Sequence, residues 1–483
     1  MNFPEIYATV EITKTEIRFL VGKFRTGTLG LRVIFKDRKK GHWLTDNDEV
    51  LDTSAVARHL KKMITAFETS FDEKIVRVSV VFPTNTLTIK RVYSTVFTDR
   101  NNYIVTNDDR NALYRDAKEK CKNIKQEVVV LRPSCFKLDG VQEKSNLLIG
   151  IKARFIEMES YVYLIDKKVF SSHKEVVKKA EKELHLYNIQ NYSLARQCLT
   201  EKEFKRIFAL TNWDNEKIDI GFFSRETLMK KITLPYGVKD LVNSLAVRLD
   251  AKYDTAEKYL LKLINFSTDA IDQVPIYRKY IARERKTFEL NFLQIKKMIE
   301  EEIVKLIAKV DNEIGKELQN NIALCNIYHS GKITEIAGFK ELIKKSRYSR
   351  QSLIYYSMVK GANEIWTTAI CGSMVTAHQQ NKASSVLKTS TITIQKDEKQ
   401  KNNVVNGRPI NYNKTNNVQN RGMVPNNLPP QQMGQRQFVP NHIPNNVQMV
   451  PVNMNMPQGN VQKFQNDNQM LNQNGIIRTQ RNR

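Results

Sequence analysis

The chain has 483 residues, 41% of them hydrophobic, enough for a large core divided over several subdomains. No run of about 18 apolar residues occurs, which excludes a membrane-spanning helix, and the start MNFPEIYATVEITK lacks the apolar run of a signal peptide. The five cysteines show no metal-ligand spacing and read as reduced thiols. The net charge of +26 would suit nucleic acid or an anionic surface. Part of that excess lies near the C-terminus, where ten Lys or Arg stand against the single acid Asp467 between Lys399 and Arg483.

In chain order, EIYATVEI and EIRFLVG read as two strands joined tightly around Thr13 to Thr15. Val56, Leu60, Met63, Ile64 and Phe67 recur at helical spacing. IVRVSVVF, residues 75–82, reads as a buried strand. Thr106 or Asn107 caps a helix to Lys120, with Asp108 and Asp109 in its positive first turn. EVVVLRP, residues 127–133, is a further strand. HKEVVKKAEKELHL reads as a helix and NIQNYS after it as strand-like. The longest helix is predicted from about Phe288 to Leu318, with Phe292, Ile295, Ile299, Ile303, Ile307 and Val310 on one stripe. From residue 401 onward, 33 of the residues are Asn or Gln and eight of the 13 prolines occur. No period of 2 or 3.6 persists there, so the segment is expected to be disordered.

VEITKTEIRFLVG, residues 10–22, with Glu11, Thr13, Lys14 and Thr15 between its apolar runs, resembles the first phosphate hairpin of the FtsA family of actin-like proteins, LDIGTSKVRALVG, with Glu11 for Asp, Thr13 for Gly, Lys14 for Thr and Thr15 for Ser. KIDIG, residues 217–221, resembles the start of the second, VDIGGGTTDIAVY. It keeps Asp219 and Gly221, but Phe222 and Phe223 stand where the Gly-Gly-Thr-Thr-Asp run belongs. YHSGKITEIAGFKELI resembles the adenosine turn, with Ser330 and Gly331 for its glycine pair. Residues 106–140 are similar to the inserted subdomain peculiar to FtsA and its pilus-assembly relatives, with Thr106, Asp109, Ala117, Pro133, Asp139 and Gly140 in place. Leu194, Ala195, Leu199, Thr200, Glu201 and Glu203 keep the spacing of a further family segment. GANEIWTTAICGSM resembles the closing helix. Near the adenine, Glu257 fits the family's acidic residue and Lys258 or Lys262 its basic one.

This resemblance implies an α/β, actin-like two-lobed ATPase fold with an FtsA-type extra subdomain and a disordered C-terminal tail. It implies a first lobe over 1–83 and 161–205 and an inserted subdomain over 84–160. A second lobe covers 206–395, with a small subdomain near 236–300 and a closing helix over 362–378. The tail covers 396–483. The nucleotide-site candidates are Glu11, Thr13, Lys14, Thr15, Asp219, Gly221, Glu257, Lys258, Ser330 and Gly331, with Glu11 and Asp219 reaching Mg²⁺ through water. Weak Mg-ATP binding without fast hydrolysis is expected. By the same resemblance the partners are FtsZ, further copies in weak filaments and the inner face of the membrane, in the cytoplasm at the division site. At the terminus, Ile476, Ile477 and Arg478, Arg481 and Arg483 faintly resemble a membrane-docking helix. Two alternatives are a nucleic-acid-associated scaffold using the basic tail and a pilus-assembly protein of the same fold.

Overall fold

The computed structural model describes residues 5–24, 30–99, 102–144, 146–147, 149–268, 274–283, 285–319, 324–382 and 388–392. The expected tail disorder and the terminal membrane tip lie outside the described residues.

Lobe 1 begins with β1 (Glu5–Ile12), β2 (Glu16–Phe24) and β3 (Leu31–Lys40), an antiparallel meander. Helix α1 (Thr53–Phe71) follows, then β4 (Arg77–Phe82), parallel to β1. β1 is buried from Ile6 to Ile12, which is why its sequence is nearly continuously apolar rather than alternating. α1 starts where the Asp52 side chain accepts from the Ser54 and Ala55 amides, and ends at Asp72 in a left-handed conformation. Its predicted stripe from Val56 to Phe67 is its buried face.

The chain then forms β5 (Thr88–Phe97), α2 (Asn107–Cys121), β6 (Gln126–Leu138) and β7 (Phe155–Asp166). With the short strand Gln142–Lys144 these strands make a separate four-stranded antiparallel sheet. α2 opens with the capping box of Thr106 and Asp109 and packs Leu113, Ala117 and Cys121 into this sheet's own core.

Returning to lobe 1, α3 (Lys167–Lys179) leads to β8 (Glu183–Ile189) and α4 (Gln190–Cys198). Here the structure corrects two expectations. The helix predicted over HKEVVKKAEKELHL stops at Lys179, and Glu181 takes a left-handed conformation. The ELHL half is part of β8, drawn into the sheet by parallel pairing with β4. The strand-like NIQNYS instead gives the last residues of β8 and the start of α4.

Lobe 2 repeats the plan. β9 (Phe208–Trp213), β10 (Ile218–Ser224) and β11 (Thr227–Leu234) form a second antiparallel meander. After α5 (Val238–Leu249), a small hairpin of Pro275–Ile281 with Lys286–Asn291, and α6 (Phe292–Leu318), β12 (Asn326–Gly331) adds parallel to β9 and β13 (Ser352–Ile354) parallel to β12. α6 begins at Phe292, not Phe288, because Asn291 caps it and 288–291 belong to the hairpin. The two sheet orders, β8-β4-β1-β2-β3 and β11-β10-β9-β12-β13, have the same topology. Each is a three-strand meander extended by two parallel strands from its first strand. This duplication makes the chain an actin-like two-lobed α/β fold.

The closing helix, expected over 362–378 in lobe 2, is α7 (Thr368–Lys382), and its apolar residues pack instead on lobe 1, where it crosses α4. Gly372 sits at the crossing, and a Cβ there would fall 1.7 Å from the Ser193 carbonyl oxygen.

Candidate functional site

Because the two meanders share one topology, the tips of β1–β2 and β9–β10 occupy equivalent positions in their lobes. They face one cleft of about 590 Å³. Each tip is four residues long: Thr13, Lys14, Thr15 and Glu16 in lobe 1, and Asp214, Asn215, Glu216 and Lys217 in lobe 2. Each is closed by the same backbone bond, the Thr13 amide to the Glu16 carbonyl at 2.8 Å and the Asp214 amide to the Lys217 carbonyl at 2.9 Å. Neither tip holds a glycine or a left-handed residue.

The equivalence relocates the second hairpin. Residues 217–221 begin its return strand, not its first strand. In register, Glu11 opposes Arg18 and Asn212 opposes Asp219, so Asn212 is the counterpart of Glu11 and Asp219 that of Arg18. Phe222 and Phe223 do not crowd the cleft. Phe222 lies in the lobe-2 core, and Phe223 stacks on Phe208 with ring centroids 4.6 Å apart. Sequence reasoning missed Asn212, Asp214, Asn215, Glu216 and Lys217. The signal was present as a polar tip, DNEK, between the apolar flanks FALTNW and IDIGFF.

Of the predicted residues, Glu11, Thr13, Lys14, Thr15, Glu257, Ser330 and Gly331 line the cleft. Asp219, Gly221 and Lys258 do not: Asp219 is fully buried, Gly221 lies mid-strand against Phe223 and Leu228, and Lys258 is exposed at a helix end. Gly331 has φ of 101°, and a Cβ would meet the Trp213 carbonyl oxygen at 2.5 Å, so glycine is required where the third turn presses on β9. The next residue, Lys332, pairs with Glu257 at 2.9 Å.

Eight carboxylates line this space against six Lys or Arg, so the cleft is net acidic in a chain of charge +26. The deepest charges are already paired. Glu11, 2% exposed, accepts from Arg18 at 2.9 Å and from Gln190 Nε2 at 3.0 Å. Burial pushes its carboxyl up, against the pull of Arg18. Asp219 pairs with Lys217 at 2.9 Å and Lys231 at 3.4 Å and accepts from Thr233 Oγ1 at 2.6 Å. Burial opposes its ionisation, but the two lysines outweigh that and hold its carboxyl below the usual range.

These residues do not fit a water-bridged Mg²⁺ between Glu11 and Asp219. Both carboxylates are consumed by side-chain cations, and Asp219 does not reach the cleft. Among the described residues no group of three or more His, Cys, Asp or Glu is placed to hold a metal ion.

No family model matches the chain, and no curated protein matches it. Solved structures similar to it include the PilM–PilN type IV pilus biogenesis complex (11% identity, TM-score 0.48, covering 77% of this chain and 98% of that one). The ethanolamine utilization protein EutJ from Carboxydothermus hydrogenoformans is 13% identical, with a TM-score of 0.44 and coverage of 77% and 90%. MreB5 of Spiroplasma citri bound to ADP is 10% identical, with a TM-score of 0.43 and coverage of 78% and 98%.

Proposed function

We propose that this chain is an actin-like scaffold that works without ATP turnover. One observation carries the reading: where the fold needs two glycine-bearing tips with free amides for phosphates, this chain has tips without glycine. The second of them presents Asp214 and Glu216. A polyphosphate there meets the carboxylates of Asp214 and Glu216, while Lys217 is already held by Asp219 and Asn85, and each charged hydrogen bond forgone costs roughly 1.5–3 kcal/mol. Thr13, Lys14, Thr15, Glu257, Ser330 and Gly331 remain as contacts for a weakly held nucleotide.

The resemblance to FtsA supplies the partner. The scaffold binds FtsZ through the subdomain near 236–300, self-associates weakly and links FtsZ to the membrane at the division site. The hairpin of that subdomain supports this reading. It exposes Ile276 and Tyr280, with Leu293 exposed just beyond it, beside Lys286 and the ion pairs Arg278–Glu289 and Lys279–Asp250, a surface suited to a segment with apolar anchors and a mixed polar rim. Among the described residues no helix is long and apolar enough to cross a membrane, so the proposed link is peripheral.

Co-sedimentation with FtsZ filaments tests this. The full chain is expected in the pellet, and Ile276→Ser with Tyr280→Ser is expected to release it. RNA binding at physiological salt with no FtsZ binding would replace the reading by the nucleic-acid scaffold. Capture by a pilus-assembly partner without FtsZ would favour the pilus alternative.

A further inference from the structure

The pairing that removes Asp219 from the cleft also spans the two lobes. The lobe-1 side contributes Asp48 and, from the segment that leaves β4 for the inserted subdomain, Thr84 and Asn85. Asn85 is held by Asp48, which accepts from its amide at 2.7 Å and from its Nδ2 at 2.8 Å. Lobe 2 contributes Lys217, Lys231 and Asp219. Lys217 Nζ donates to Asn85 Oδ1 and pairs with Asp219. Lys231 Nζ donates to the Thr84 carbonyl and also pairs with Asp219, and Thr84 Oγ1 donates to Asp219 Oδ2 at 3.4 Å. Every polar group in this chain of contacts has a partner across or beside the lobe boundary.

Burial separates this network from the ion pair at the rim of the cleft, and the equally buried Glu11–Arg18 pair lies within lobe 1 alone. Side-chain exposure is 0% for Asp219, 9% for Lys231 and 16% for Lys217, and Asp48 and Thr84 are buried. The Lys14–Asp46 pair at the rim is 38% and 89% exposed, and water screens such a pair almost fully. Removing one member of the buried set strands a charge in a low dielectric. Two carboxylates, Asp48 and Asp219, thus face two ammonium groups, and the charge balances within the network.

We propose that Lys217 and Lys231 act as a tethered-cation latch: they supply between the lobes the positive charge that a bound divalent cation would bring, so the lobes close on their own. The inference rests on the reading that the cleft does not take Mg-ATP tightly. A chain latched in this way presents one conformation to its partners, whatever the nucleotide supply.

The test is hydrogen exchange of the amides in the two hairpin tips of the full chain, in a cycle of Asn85→Ala and Lys217→Met. Each single change is expected to speed exchange at both tips about tenfold, and the double change no more than either single. Independent, multiplying effects, or no effect of either, would overturn the latch. Solution scattering of the unaltered protein gives a second measurement should a variant fail to fold. The radius of gyration is expected to be the same in EDTA and in saturating Mg-ATP, and contraction on Mg-ATP would overturn the proposal. Tight Mg-ATP binding without contraction would instead remove the reading of the cleft and leave the latch standing.

Discussion

Replacing Asp219 by Asn tests the charge balance at the base of the cleft most sharply. The change keeps the side-chain volume and deletes one negative charge from a site with no solvent exposure. Lys217 and Lys231 then lose their shared counterion, and the new amide can point its oxygen either at Lys231 and Thr233 or at Lys217 and Thr84, leaving its nitrogen against the other pair. Breaking a buried pair in this way costs roughly 3–5 kcal/mol, a large share of the 5–15 kcal/mol that ordinarily holds a protein folded. Urea denaturation of full-length Asp219→Asn should show a loss of that size with an unchanged slope. Adding Lys231→Met should return part of it, because one stranded cation has gone. The acid limb supplies a further check. Because its carboxyl is held low in the folded state, Asp219 stabilises the protein above the unfolded value of about 3.9 and loses that effect as pH falls through the lower folded value. That share of the acid limb should vanish in Asp219→Asn. A loss under about 1 kcal/mol, the size of an exposed pair, would show that water screens Asp219 and that it is no buried counterion.

Buried histidines set a second acid dependence. Burial lowers His329 to about 3 and His173 to about 4. His329 Nδ1 accepts from Trp213 Nε1 at 3.2 Å, so a proton there would face a donor. Between these values and the ordinary 6.5 the unfolded chain binds more protons, so stability falls as pH drops below 6.5. Urea curves at pH 7.5 and pH 5 should differ by about 2 kcal/mol for each of the two, and His329→Gln should remove one share. At the crossing of α4 and α7, Gly372→Ala should cost at least about 2 kcal/mol by overpacking against the Ser193 carbonyl. Gly30→Ala, with nothing within 4 Å of its Cβ, should leave the melting temperature unchanged.

Local signals carried much of the fold. The register of β1 and β2 follows from two apolar runs around Thr13 to Thr15, and α1 and α2 from their stripes and caps. β8 was not legible because ELHL follows a good helical pattern. Its strand state comes from the neighbouring β4, and the break at Glu181 has no Gly or Pro to announce it. At the cleft, the positions of Glu11, Thr13, Lys14 and Thr15 could be read from sequence because two apolar runs flank them and force a tight turn between β1 and β2. The second misled because IDIG matches the family's opening strand, while pairing with β9 makes it the return strand. Charge explains the rest: Asp219 looked like a metal carboxylate, and only the fold reveals the two lysines that occupy it.

If the cleft does not serve a metal–triphosphate, calorimetry of Mg-ATP with the unaltered full chain should give a dissociation constant no tighter than the high micromolar range, and turnover should stay at background. Both should be unchanged by Thr13→Gly, because the second tip keeps Asp214 and Glu216. Low-micromolar binding with steady turnover would show instead that the cleft is a working nucleotide site.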